Sequence, residues 1–304
     1  MSRGYDLILT YHRIGGGRDP LQQCVDVERF AQHIERLPSL ADVVPLESLE
    51  TPSRRTRIAL TFDDGYADNG AVAAPILREA GLPATFFIPS RVLAERGEFW
   101  WDRLEHLHLD SQPETATVDV APAGRRLRID VRSEAGRLRS LKALNRRLRP
   151  LPPAAIEAVV RDVESQLGPS VVRSCAAHSL LDGAAVAALA ATALFEIGCH
   201  GATHTMLSAL TAREAELEIR ESREALESAT GRPVTSFSYP YGTPESFGAE
   251  TIALVRAAGF ARACRNTPGR ADFARERYRL ARHMVYDWSG DELAARVNSW
   301  LVSS

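Results

Sequence analysis

Seven short apolar runs recur along the chain and constrain its fold more than any other feature: DLILTYH (6–12), RIALTF (57–62), ATFFIP (84–89), LFEIGC (194–199), SFSYP (236–240), FARAC (260–264) and YRLARHMV (278–285). Apolar runs of this length, separated by helical segments, read as parallel strands covered on both faces rather than as hairpins. The helices between them carry their own signals. Asp26 is placed to cap VERFAQHIERL, Thr211 and Glu214 form a T-x-x-E capping box before AELEIRESREALESAT, and Gly231 with Pro233 ends that helix. A strand and helix unit repeated about seven times predicts a barrel or a doubly wound sheet. In 304 residues, one α/β barrel of about 250 residues with an insertion fits, as do two ordinary domains.

Residues from about 97 to 180 break the rhythm. TATVDV (115–120) and RLRIDV (126–131) flank Ala-Pro-Ala-Gly as a hairpin would, and SEAGRLRSLKALNRRLR and AAIEAVVRDVESQL have the pattern of amphipathic helices. This stretch is expected to be an insertion in a single domain spanning 1–304, not a second catalytic domain. Its arginines, among them Arg137, Arg139, Arg146, Arg147 and Arg149, suit a solvated helix face better than an acidic partner. A net charge of -2 leaves no cation excess for neutralising phosphates, which excludes a general nucleic-acid binder. The N-terminal apolar run is too short for a secretory segment, and nothing approaches the roughly 20 apolar residues of a spanning helix, so a cytoplasmic protein without a transmembrane segment is expected. Cys24, Cys175, Cys199 and Cys264 are widely spaced and are expected to be free thiols.

Three motifs follow different predicted strands, at the ends where α/β barrels place their chemistry. The first is LTFDDGY (60–66), in which an apolar strand ends on two adjacent carboxylates whose repulsion a simple turn has no reason to accept. The second is CHGATH (199–204), whose histidines, four apart, can meet on one face of a helical turn and, with a carboxylate, form a three-ligand metal site with open positions for water. Strand alternation points Cys199 away from His200 and removes it as a ligand. The third is SYPYG (238–242), where Pro240 and Gly242 hold a tight loop able to turn a backbone N–H toward a bound oxygen. Taken singly, the first and third are turns and the second is a chance pair.

Taken together and in this order, TFDDGY, HGATH and SYPYG resemble the polysaccharide deacetylase, or NodB-homology, family. YHRI (11–14), PATFFIP (83–89) and FWWD (99–102) look like its exopolysaccharide-biosynthesis branch. The resemblance covers most of the chain outside roughly 103–190. It implies a distorted (β/α)7 barrel with a helical and hairpin insertion, and one divalent metal, commonly zinc, with cobalt, nickel, manganese or iron(II) as alternatives. Carried onto this chain, the ligands are Asp64, His200 and His204, and Asp63 is the base. One carboxylate then binds the metal, the other takes a proton, and the metal's charge relieves their repulsion. The oxyanion is met by the metal and the backbone N–H of Tyr241.

The chain also departs from the family pattern. Ser238 stands where many relatives carry the arginine that orients the base, and Arg282 is positioned to reach the same carboxylate from the last strand. The general acid is either His283, displaced by one residue from the family's late L-x-H, or His12 of YHRI. Neighbours on a strand face opposite ways, so one of Arg282 and His283 points inward. Trp100 and Trp101 either wall a sugar ring or anchor their helix. The expected activity is metal-dependent removal of N-acetyl groups from an N-acetylated sugar of a glycan, glycolipid or precursor. The rivals are hydrolysis of a non-carbohydrate amide or cyclic imide on the same barrel, and a carbohydrate-binding relative without turnover. Oligomeric state is open.

Overall fold

A computed structural model describes residues 5–16, 19–94, 97–109, 117–124, 126–167 and 178–302. The chain divides into two compact units, one of residues 1–95 and 180–304, the other of residues 96–179.

Among the described residues, the sheet of the first unit follows a path of seven parallel strands, β1 (Asp6–Tyr11), β2 (Arg57–Phe62), β3 (Ala84–Ile88), β4 (Phe195–Cys199), β5 (Ser236–Ser238), β6 (Arg262–Cys264) and β7 (His283–Met284), with the two-residue strand Asp42–Val43 paired to β2 off this path. From β1 to β6 each strand pairs with the next in sequence, and β7 returns beside β1. A parallel bridge between Cys264 and Leu280 links β6 to the segment entering β7. This is the distorted (β/α)7 barrel that the motifs predict. β7 is shorter than the 278–285 run because its backbone is partly engaged elsewhere: Leu280 N–H donates to Ala263 and Arg282 N–H to Thr267.

Alternation divides each strand between two environments. Leu7, Leu9, Tyr11, Leu60, Phe62, Phe86 and Ile88 belong to the main apolar core with Phe30 and Ile34 of the helix Val27–Arg36. An aromatic row runs through this core: Tyr11 stacks on Phe62 at 5.3 Å and Phe62 on Phe86 at 4.9 Å. The alternate residues Ile8, Ala59, Phe87, Cys264 and Leu280 form a separate apolar cluster. Gly198 admits the Phe87 ring, since a Cβ there would sit 2.4 Å from Phe87 Cδ1. Further along that same face the side chains turn polar, with Thr10, Thr61, Asp63 and Arg282 all buried. The capping signals have their expected form. Asp26 accepts from Glu28 N–H, Thr211 and Glu214 make both halves of the capping box, and Gly231 closes the helix Ala212–Thr230 at φ +64°.

The second unit has the helix Trp100–Leu109, an antiparallel hairpin of Thr117–Val120 and Leu127–Asp130, and the helices Glu134–Leu148 and Pro153–Leu167. Its own core includes Leu104, Val118, Ile129, Leu141, Leu144, Val160 and Val163. Arg103 pairs with Glu157 at 2.7 Å and Glu164 at 2.6 Å. Arg139, Arg146 and Arg147 are exposed, as on a solvated helix face. Among the described residues, no helix is long and apolar enough to cross a membrane.

Candidate active site

The site residues of the first unit follow directly from strand ends. The β1–β2 register runs from Asp6 opposite Arg57 to Tyr11 opposite Phe62, and Asp63 N–H donates to Tyr11, so His12 and Asp63 leave adjacent strands at the same level. Cys199 lies opposite Ile88 and Phe237, which brings His200 beside Ser238. Asn69 Nδ2 fixes the exit of β1 by donating to the His12 carbonyl at 2.7 Å.

Arg282 is completely buried and grips Asp63 with two bonds, Nη1 to Oδ1 at 2.8 Å and Nη2 to Oδ2 at 2.6 Å. It donates further to Ser238 Oγ at 2.9 Å, Thr61 Oγ1 at 3.3 Å and the Arg265 carbonyl at 3.1 Å. Burial pushes the Asp63 carboxyl up, but the Arg282 guanidinium, with His200, outweighs it and leaves Asp63 below the ordinary aspartate value. A planar, permanently charged fork suits this two-point grip.

Asp64 faces the histidines instead. Its Oδ1 lies 3.1 Å from His204 Nε2 and 3.4 Å from His200 Nε2, and the three ligand atoms lie within 4.8 Å of one another. His200 Nδ1 sits 2.7 Å from the Ser238 carbonyl, which places the ring proton there and leaves Nε2 facing Asp64. Burial raises the Asp64 carboxyl, yet His204 and His200 bring it well below its ordinary value. Burial lowers the His200 imidazole, but Asp63 and Asp64 raise it more and set it above its ordinary value. Buried carboxylates that stay ionised require positive charge nearby. Arg282 supplies it at Asp63; at Asp64 the donor set supplies a place for a cation.

The backbone here is held in unusual conformations. Asp64, His204 and Tyr241 have φ of +74°, +60° and +64°, and Gln22 is the other non-glycine at positive φ among the described residues. Strain of this kind, of order 1–3 kcal/mol per residue, persists where surrounding structure enforces it and clusters at functional sites. The His200–His204 segment is a loop, not the helical turn predicted, because Gly201 at φ +75° and His204 at φ +60° both leave helical space. Glu218, from the helix Ala212–Thr230, clamps this loop by accepting from Thr203 N–H at 2.6 Å and Thr203 Oγ1 at 3.0 Å. Nothing in the motif points to Glu218. The Tyr241 ring meets His204 edge to face at 4.8 Å. Pro240 is buried, its Cγ 3.5 Å from where a Cβ on Gly201 would lie. Gly242 is obligatory, since a Cβ there would stand 2.4 Å from Asn266 N.

Some sequence candidates lie elsewhere. His283 stacks on Trp300 at 4.1 Å with its Nε2 3.1 Å from the Gly269 carbonyl, so of the pair Arg282 points inward and His283 outward. Trp101 is only 3% exposed and stacks on Phe99 at 4.2 Å within the second unit, which favours the second of its two readings, an anchor for its helix. Cys199 is buried against Ser222 Oγ, with its thiol pushed up by burial to about 12.

The sequence profile of the polysaccharide deacetylase family matches residues 50–113 and 175–263. No curated protein matches the chain by sequence. Among solved structures, similarity extends to a polysaccharide deacetylase from Bacillus cereus (15% identity, 97% of this chain and 69% of that one, TM-score 0.60) and to IcaB from Ammonifex degensii (15%, 97% and 97%, 0.61). A de-N-acetylase from Aggregatibacter actinomycetemcomitans is also similar (14%, 96% and 100%, 0.59). At these identities the structural likeness establishes the fold.

Proposed function

This chain belongs to the polysaccharide deacetylase family, and from that premise we propose that it is a metal-dependent hydrolase removing the N-acetyl group from an N-acetylated sugar of a glycan or glycan precursor. The observation that carries the reading is the division of labour between two adjacent buried carboxylates, Asp63 locked to Arg282 and Asp64 turned to two imidazoles. Similarity to a de-N-acetylase supports the N-acetyl bond, and YHRI and PATFFIP support a glycan of the exopolysaccharide type.

Asp64, His200 and His204 would hold one divalent ion. Their fit is tested by Asp64 Oδ1, which is buried and accepts no hydrogen bond of good geometry among the described residues although two imidazole nitrogens stand within 3.4 Å. Two imidazoles and one carboxylate suit zinc, with cobalt, nickel, manganese and iron(II) as alternatives. Such an ion supplies Lewis acidity, which acidifies a water and polarises an amide carbonyl.

The chain's own groups do the rest. Asp63, kept ionised by Arg282, accepts the proton of the attacking water as it adds to the amide carbon. The N–H of Tyr241 is assigned to the developing oxyanion, and the left-handed turn at Tyr241 and Gly242 fixes its direction. His12, level with Asp63 on the neighbouring strand, is the acid that gives the departing amine its proton.

The test pairs metal analysis with acetate release from a panel of N-acetylated and O-acetylated glycans. Asp63→Asn is expected to keep the ion and lose turnover by roughly 10²–10⁴-fold, whereas Asp64→Asn loses the ion itself. Full activity after exhaustive chelation overturns the metal reading, and acetate released only from O-acetylated substrates overturns the substrate reading.

A further inference from the structure

The second unit contains a buried group of titratable side chains that the proposed chemistry does not use. Asp102, Glu105 and His106 stand at i, i+3 and i+4 on the helix Trp100–Leu109 and therefore share one face of it, while Glu98 lies just before its first turn. His178 arrives from 72 residues further along the chain. His106 Nε2 lies 2.8 Å from His178 Nδ1 and 3.3 Å from Glu98 Oε1, and these three atoms are all within 4.8 Å of one another. Asp102 Oδ1 and Glu105 Oε1 stand 3.9 and 3.8 Å from the other nitrogen of His178. The side chains of His106, His178 and Glu98 are 4%, 3% and 7% exposed.

We propose that Glu98, His106 and His178 form a second metal site, lying wholly in the 96–179 unit and taking a divalent ion of the zinc class. Two imidazole nitrogens and a carboxylate oxygen are the donors such an ion selects, and ligands about 2.0–2.2 Å from a tetrahedral ion stand roughly 3.3–3.6 Å from each other; Glu98 and His106 are at that spacing, and the two imidazoles, 2.8 Å apart, would part slightly to admit the ion. Asp102 and Glu105 stand 3.9 and 3.8 Å from the far nitrogen of His178, which favours a proton at Nε2 electrostatically and Nδ1 as the ligand atom. The ion's role is structural: it ties His178 to a helix that precedes it by about 70 residues. The competing account is an imidazole pair in which one ring donates a proton to the other; it needs no ion.

The inference does not rest on the barrel site, and the experiment separates the two. Chelator-treated full-length protein is reloaded with Zn²⁺ alone, freed of excess, and analysed for metal per chain and for thermal midpoint. Wild type is expected to retain two ions, His200→Ala/His204→Ala one, and His106→Gln/His178→Gln one. The His200→Ala/His204→Ala protein also gains several degrees of thermal stability from Zn²⁺. Retention of no ion by this variant, with no thermal shift, overturns the second site. That arm stands even where His106→Gln/His178→Gln does not fold. A wild type holding one ion that His106→Gln/His178→Gln loses supports the second site and counts instead against the barrel site.

Discussion

A buried aspartate proposed as a base, Asp63, has to be kept ionised, and Arg282, a residue from the last strand, grips its carboxylate with two bonds. Because Asp63 lies below the ordinary value of 3.8, its ionised form persists through the usual carboxylate range and is lost only as pH falls through the lowered value. Removing the guanidinium reverses the balance, since burial alone raises a carboxyl. Arg282→Met is therefore expected to move the acid limb of the kcat/KM profile to higher pH and to cost on the order of 3–5 kcal/mol of stability, as breaking a buried pair does. A pH series of kcat/KM with denaturant unfolding measures both, and an acid limb that stays in place refutes the role given to Arg282. The acid is tested in the same way. His12→Gln should abolish the alkaline limb along with most of the rate, while His283→Gln, whose ring packs on Trp300, should keep a bell-shaped profile. The reverse outcome would transfer the role to His283.

At the scale of elements, the HGATH loop shows how a strained segment is stabilised from a distance. Glu218 caps Thr203 from a helix that starts well after the motif, holding the backbone that brings His204 to Asp64. Glu218→Gln is expected to weaken metal binding by about 10–100-fold, the usual effect of disturbing a ligand's support. Thr211→Ala in the same helix should cost about 1 kcal/mol through the lost cap and leave metal affinity unchanged. Competition titration against a chelating dye compares the two variants, and equal affinities would remove the clamp. The same contrast explains what was legible in the sequence. The seven strands, the capping box and the hairpin depend on neighbours a few residues apart, so apolar period and capping residues reveal them. The convergence of Asp64, His200 and His204 was legible only as a resemblance carried by motifs. The loop conformation was not, because Gly201 and His204 leave helical space under contacts 15 residues away. Alternation required one of Arg282 and His283 to face inward, but the choice depends on the pairing of Leu9 with His283, a register set across the barrel. The role of Trp101, which stacks on Phe99, stayed open in the sequence because adjacent aromatics look the same there whether they wall a ligand or fill a core.

For the molecule as a whole, the decisive fact is that, among the described residues, each unit has apolar clusters of its own. The cluster from Leu104 to Leu167 lies entirely within the second unit, and the two clusters of the barrel unit draw only on residues up to Val92 and from Leu181 onward. The barrel chain is also nearly continuous across the gap, since the Leu93 carbonyl lies 4.0 Å from where a Cβ on Gly183 would be. Connections of a few residues are the commonest between elements of a compact domain, so a short Gly/Ser linker can replace residues 96–179 without stretching the barrel. The barrel's buried strands, the Asp63–Arg282 pair and the Asp64, His200 and His204 donors all remain in such a protein. It is expected to fold cooperatively, to bind one Zn²⁺ that His204→Ala removes, and to lose the Zn²⁺ assigned to Glu98, His106 and His178. Circular dichroism melting with metal analysis of the shortened chain measures this. A shortened protein that stays unfolded, or folds but binds no metal, would mean that residues 96–179 belong to the barrel's own stability and are not an insertion into it.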